Sequence, residues 1–385
     1  MGDNPLKALR QYGQSIWLDN IRRDLMSSGE LKRLIDEDGI RGLTSNPTLF
    51  EKAIGGSKDY DEQLLALRAK GKGTMESLEE LTIQDIQMAA DLFQAVYESS
   101  EGEDGFISLE VSPVLANKEE QTVEAVLDLF GRVARKNVMI KVPATKAGIR
   151  ALRRLTAMGI SINMTLIFSL ECYEAVAKAY IEGLQQLDDN MVPMGSVRSV
   201  ASVFVSRVDT LVDGLLAEQI QLCDDPLKKA EIESLVGKIA IANAKTIYQK
   251  FKTCFQSPDF LALQHRGAHL QRPLWGSTGT KDPNYSDVLY IEELIGKDTV
   301  NTVPPATLDA FRDHGKPRAS SIEENSEEAV QRLKRLADFG IDLKAITKAL
   351  QDAGVEAFAL SYRKLIDAIV EKRGRLLAKH RMHAS

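Results

Sequence analysis

Lys141 stands in the run Asn137-Val-Met-Ile-Lys-Val-Pro143, which reads as a short strand. Side chains alternate between faces along a strand, so Val138, Ile140 and Val142 share one side while Asn137, Met139 and Lys141 share the other. A lysine in such a place is rarely buried without a partner or a task. As a neutral amine it can add to a ketone and form a Schiff base, whose protonated imine draws electrons from the neighbouring carbon–carbon bond. The ammonium, with an ordinary pKa of about 10.4, must first lose its proton, and burial among apolar strands favours that loss. The bland alternative is a buried structural ion pair between Lys141 and Glu110.

Neighbouring runs carry polar residues in the same unexpected places. Ser108 and Glu110 interrupt Phe106-Ile-Ser-Leu-Glu-Val111, and Ser161, Asn163 and Thr165 line one side of the next run. The first strand ends at Asp19, the second at Thr44, Ser45 and Asn46, and the sixth carries Ser202 and Phe204 before Arg207. An ion pair alone would not account for these amides and hydroxyls. Glu110 and Asp19 are the carboxylates available to move protons, and Thr165 could hold a relay water for Glu110. Arg207, with Gly276-Ser-Thr-Gly-Thr-Lys281, suggests a phosphate site in which Ser277 and Lys281 take part. The spacing is not that of a P-loop.

These residues need a scaffold that brings strand ends together. Eight candidate strands, at 15–20, 40–45, 106–111, 137–142, 160–167, 197–205, 273–277 and 299–303, alternate with amphipathic helical stretches such as 119–134 and 170–187. Crossovers of that length imply parallel pairing, and eight strands favour a closed (β/α)8 barrel over an open doubly wound sheet. Nor does a G-x-G-x-x-G follow the first strand. In such a barrel the polar residues meet at the C-terminal mouth. The stretch 210–255 has room for two helices. We expect a catalytic barrel over 1–320 and a helical extension over 321–385, its stretches 343–350 and 355–370 broken at Gly354. In that extension Phe358 or Tyr362 would either reach over the mouth or pack between helices.

The composition, 44% hydrophobic and 27% charged, excludes a disordered or fibrous chain. A net charge of −6 gives no reason to attract nucleic acid or an anionic membrane. Cys172, Cys223 and Cys254 form neither a disulfide framework nor a zinc motif, and Gly267 between His265 and His269 argues for a loop rather than a metal-binding helix. Residues 1–10 lack the apolar core of a signal peptide, so a cytoplasmic protein is expected.

Taken together, the segments Leu43-Thr-Ser-Asn-Pro-Thr48, Ile107-Ser-Leu-Glu-Val111, Ile140-Lys-Val-Pro-Ala-Thr145, Ile160-Ser-Ile-Asn-Met-Thr-Leu-Ile-Phe-Ser169, Ser202-Val-Phe-Val-Ser-Arg207 and Trp275-Gly-Ser-Thr278 resemble the transaldolases, in the family's order. The length resembles the longer bacterial subfamily. The resemblance implies a barrel of the class I aldolase type and transfer of a dihydroxyacetone unit. The donor would be sedoheptulose 7-phosphate or fructose 6-phosphate, and the acceptor glyceraldehyde 3-phosphate or erythrose 4-phosphate.

By the same resemblance Lys141 is the Schiff-base lysine, Asp19 and Glu110 the acid–base groups, and Thr165 the holder of the catalytic water. Thr44, Asn46, Asn163, Ser202 and Phe204 contact substrate, while Arg207, Ser277 and Lys281 hold phosphate. No metal or organic cofactor is implied, the partners are sugar phosphates, and a monomer or homodimer is expected. One departure is Gly279, where many transaldolases carry arginine; Lys281 is the expected substitute. Two rivals stand beside this reading. One is a fructose 6-phosphate-type aldolase, although those relatives replace the glutamate by glutamine and the phenylalanine by tyrosine. The other is a non-catalytic phosphosugar-binding barrel.

Overall fold

The computed structural model describes residues 4–189 and 193–383; the side chains of residues 188–189 and 379–383, His380 and His383 among them, lie outside that description. Eight parallel strands close on themselves in chain order: β1 (Gln14–Asp19), β2 (Gly42–Thr44), β3 (Phe106–Glu110), β4 (Val138–Pro143), β5 (Ile162–Ile167), β6 (Ser199–Phe204), β7 (Gln271–Gly276) and β8 (Thr299–Val303). β8 pairs back onto β1, with Trp17 beside Thr302. The expected (β/α)8 barrel is therefore present, and each expected strand coincides with an observed one to within about two residues at most bounds.

Inside the barrel, alternation builds layers. Trp17, Phe106, Met139, Val200, Leu274 and Val300 form a dry cluster of their own. The Trp17 ring fills this layer so completely that a Cβ on Gly42 would lie 2.5 Å from it, so only glycine fits there. Two residues further along each strand, on the same face, stand Asp19, Ser108, Lys141, Ser202, Gly276 and Thr302. The apolar layer thus forms a floor under a polar one at the strands' C-terminal ends. Below that floor, Asp104 accepts from Ser15 at 2.9 Å and pairs with Arg41 and Arg272, each at 3.1 Å.

Two expectations need correction. Residues 210–255 hold parts of three helices rather than two, Ser206–Leu222, Pro226–Glu233 and Ile239–Phe255. The middle one begins at Asp225, whose carboxylate accepts from Leu227 N–H, with Pro226 at the first helical position. Gly354 does not break the tail, since one helix runs over Leu343–His383. A Cβ at Gly354 would come within 3.0 Å of the Leu166 side chain, so glycine lets the helix lie close to β5. At that point β5 bulges, with Leu166 at φ +62° and the β5–β6 register shifted.

His265 caps the short helix Pro258–Gln264, and His269, past Gly267, sits 2.6 Å from Glu103. Among the described residues no cluster of His, Cys, Asp and Glu could hold a metal, and no helix is long and apolar enough to cross a membrane. The three cysteines are free thiols.

Candidate active site

Lys141 lies opposite Glu110 in the β3–β4 register and opposite Asn163 in the β4–β5 register. Its ammonium donates to Glu110 Oε1 at 2.9 Å and to the Ser45 carbonyl at 3.1 Å. Both side chains are almost wholly enclosed, 7% and 9% exposed. The ion pair of the bland alternative is therefore real, but it is one part of a larger array. Ser202 donates to Asn163 Oδ1 at 2.6 Å, and Asn163 Nδ2 donates to Ser108 Oγ at 3.0 Å. On the other side Thr44 donates to Asp19 Oδ1 at 2.7 Å, leaving the Thr302 hydroxyl to donate to Thr44 at 2.7 Å.

Burial pushes both carboxylic acids above their ordinary range. For Asp19, desolvation outweighs the opposing pull of Lys141, the Thr44 hydroxyl and Lys281. For Glu110 it outweighs Lys141, and the charge of Asp19 adds to the rise. The 2.9 Å bond between the Lys141 ammonium and Glu110 is a direct path for a proton between them. Thr165 sits one pleat beyond Asn163, buried, and its hydroxyl has no hydrogen-bond partner among the described residues. It makes no direct bond to Glu110. An orphaned buried hydroxyl at that depth can hold a water.

Above the polar layer opens a cavity of about 390 Å³, lined by Asp19, Thr44, Asn46, Lys141, Ser202, Phe204, Arg207, Ser277 and Lys281 among others. Nine of the twelve expected site residues therefore share one space; Glu110, Asn163 and Thr165 are not among its lining residues, and Glu110 borders a second pocket of about 120 Å³. Asn46 has a structural duty as well, since its side-chain oxygen caps the helix Pro47–Gly56 by accepting from Leu49 N–H at 3.0 Å. Its amide donors remain for a ligand. Arg207 stacks over the Phe204 ring at 5.3 Å, and the guanidinium has no hydrogen-bonded or ionic partner among the described residues. Burial pulls its pKa below the ordinary value. A half-buried, unpaired cation is an anion site in waiting.

Several lining residues lie outside the twelve expected ones. Thr302, on β8, could have been found by the alternation that marked Asn163. Thr48 and Lys52 come from the helix Pro47–Gly56, and Ala357, Phe358 and Ser361 from the C-terminal helix. Of these only Phe358 stood out in the sequence. Tyr362 borders a separate small pocket beside Glu110 and Ser112 instead.

Residues 16–369 match a single family, transaldolase/fructose-6-phosphate aldolase. The chain belongs to that family. Relatives align over nearly all of both chains. A transaldolase of Trichodesmium erythraeum is 42% identical over 97% of this chain and 98% of its own. Transaldolases of Saccharopolyspora erythraea and Thiobacillus denitrificans are 44% and 43% identical, each over 95% of this chain and 97% and 99% of their own. Gly279 lines the same cavity, at the place where the resemblance would put an arginine. A Cβ there would lie 3.2 Å from Thr307 Oγ1 and 3.3 Å from Pro304 Cγ, so the loop is packed tightly where the family's arginine would begin. Lys281 and Lys52 instead bring amines to the cavity that Arg207 and Ser277 line.

Proposed function

We propose that the chain is a transaldolase that works through a Schiff base on Lys141. The observation that carries this reading is the enclosed amine, 2.9 Å from Glu110 in the polar layer, with Asp19 and Arg207 on the cavity above it. The phosphate of a ketose phosphate docks on Arg207, Ser277 and Lys281, with the ketone over Lys141. After the ammonium has given its proton to Glu110, the free amine attacks the carbonyl carbon. Glu110 then returns the proton, through a water on Thr165, to the departing hydroxyl, and an iminium forms.

Asp19 takes the proton of the C4 hydroxyl as the C3–C4 bond breaks, and the electron pair moves into the iminium. An aldose phosphate leaves, and an enamine of dihydroxyacetone stays on Lys141. An acceptor aldehyde enters, the enamine carbon bonds to its carbonyl carbon, and protonated Asp19 gives its proton to the new alkoxide. Water activated by Glu110 adds to the imine carbon and frees the product and Lys141. Thr44, Asn46, Asn163, Ser202 and Phe204 hold the hydroxyls and the carbon chain.

The family name supports a second reading, a lyase that releases free dihydroxyacetone from fructose 6-phosphate. Glu110 and Phe204 favour transfer over it. The test is borohydride reduction with fructose 6-phosphate, followed by peptide mass spectrometry. A reduced three-carbon adduct on Lys141 is expected, and an unmodified Lys141 would overturn both readings. Product analysis with and without erythrose 4-phosphate separates transferase from lyase.

A further inference from the structure

An enamine on Lys141 has two fates, and both use the proton held on Asp19. In transfer, the enamine carbon bonds to an aldehyde and the proton goes to the aldehyde oxygen. In hydrolysis, the proton goes to the enamine carbon itself, water adds to the resulting iminium, and dihydroxyacetone leaves as Lys141 regains its amine. The acid–base groups therefore cannot choose between the two. What chooses must control access to the cavity.

The structure puts the C-terminal helix at that access. Ala357, Phe358 and Ser361 line the same cavity as Lys141 and Asp19, and Phe358 is the only aromatic they contribute. The helix is fixed on both sides of that point. Upstream, Gln351 Nε2 donates to the Ala144 carbonyl at 2.9 Å and the Leu166 carbonyl at 3.2 Å, at the ends of β4 and β5. Downstream, the buried Lys372 ammonium donates to the Ile54 carbonyl at 2.8 Å and to the Ser57 carbonyl, and pairs with Asp61 at 2.9 Å. Between these ties, Ser361 accepts from Thr48 Oγ1 at 2.9 Å, joining the roof to the helix that Asn46 caps. Phe358 itself is half-buried, packed against the core.

We infer that Phe358 is a specificity-determining residue, an apolar roof over the Lys141 enamine that holds bulk water out and so makes transfer the preferred fate. The inference rests on the Schiff-base reading above. Held by its tethers, the ring stays in place when the first product leaves, at the moment when the intermediate is most open to water. An incoming aldose phosphate is drawn past it by the three cations Arg207, Lys281 and Lys52, an attraction that water does not share.

The test compares Phe358→Ala and Phe358→Leu with the unaltered chain, on fructose 6-phosphate with erythrose 4-phosphate. Free dihydroxyacetone and sedoheptulose 7-phosphate are measured together, and Lys141 is trapped with borohydride in parallel. The ratio of hydrolysis to transfer should rise roughly tenfold in Phe358→Ala and less in Phe358→Leu, the larger side chain filling part of the gap. Trapping on Lys141 should persist in both. Leu360→Ala, at an exposed position on the same helix, should leave the ratio alone. An unchanged ratio in a Phe358→Ala protein that still traps on Lys141 would overturn the inference, as would an equal rise in Leu360→Ala. Failure of the unaltered chain to trap on Lys141 would instead overturn the reading beneath it.

Discussion

Thr44 and Asp19 are direct neighbours across β1 and β2, and the Thr44 hydroxyl donates to Asp19 Oδ1 at 2.7 Å. Burial drives Asp19 towards its protonated form, while this bond and the charge of Lys141 oppose the drive. In the proposed mechanism Asp19 must be ionised to take a proton during bond cleavage. The bond from Thr44 therefore keeps a buried base usable.

Thr44→Val removes the donor and nothing charged. With one opposing influence gone, the pKa of Asp19 rises further, and the acidic limb of the kcat profile moves to higher pH. The profile against pH, at saturating fructose 6-phosphate and acceptor, checks this. A limb that stays in place would mean that Asp19 is not the base.

Lys141→Arg keeps a cation beside Glu110 but cannot supply a neutral amine, because a guanidinium stays protonated at any usable pH. Transfer should fall by at least about 10⁴-fold, with no borohydride adduct. Thermal unfolding should change little, since the ion pair can re-form. Residual transfer within tenfold of normal would remove the Schiff base from the mechanism.

Much of this site was legible because a barrel strand has one simple rule. On β4 and β5 the inward positions alternate with apolar outward ones, so Lys141 and Asn163 announced themselves as polar residues in apolar runs. Thr302 obeys the same rule on β8. Lys52 could not be found in that way. It lies on an exposed face of its helix, where a lysine is ordinary, and only the path of that helix past the mouth brings it to the cavity. Gly354 misled for a related reason. A glycine costs a helix about 1 kcal/mol relative to alanine, but close approach to Leu166 is a tertiary contact that no local pattern contains.

Arg207 should be required for phosphate and for little else. Arg207→Met removes a hydrogen-bonding cation that the described residues leave unpaired, so loss of a charged contact of about 1.5–3 kcal/mol should appear only with phosphorylated donors. KM for fructose 6-phosphate should rise by roughly 10- to 150-fold by that measure. The slow reaction with unphosphorylated fructose should be nearly unaffected. Because a half-buried cation is removed, the melting temperature should hold or rise. A lowered melting temperature with unchanged KM would make Arg207 structural.

Away from the mouth, Asp209 should tie stability to pH. Its carboxyl accepts from Ala240 N–H at 2.7 Å, capping the helix Ile239–Phe255, and from the Tyr290 hydroxyl at 2.9 Å. Burial nonetheless pushes it up to about 7, and nearby Asp213 adds to the rise. An unfolded aspartate titrates near 3.9, so between roughly pH 4 and 7 the folded chain holds a proton that the unfolded chain has lost. The contribution of this group is therefore complete below about pH 4, declines as pH rises towards 7, and is gone above that. Asp209→Asn retains an acceptor for Ala240 and cannot titrate. Its unfolding free energy, subtracted from that of the unaltered chain at each pH, isolates Asp209 from other buried acids such as Asp85. That difference should fall with rising pH by up to about 1.4 kcal/mol per unit across this window and level off above it. Two parallel curves from pH 4 to 8 would mean that Asp209 is ionised throughout, held so by the N–H and O–H groups that face it.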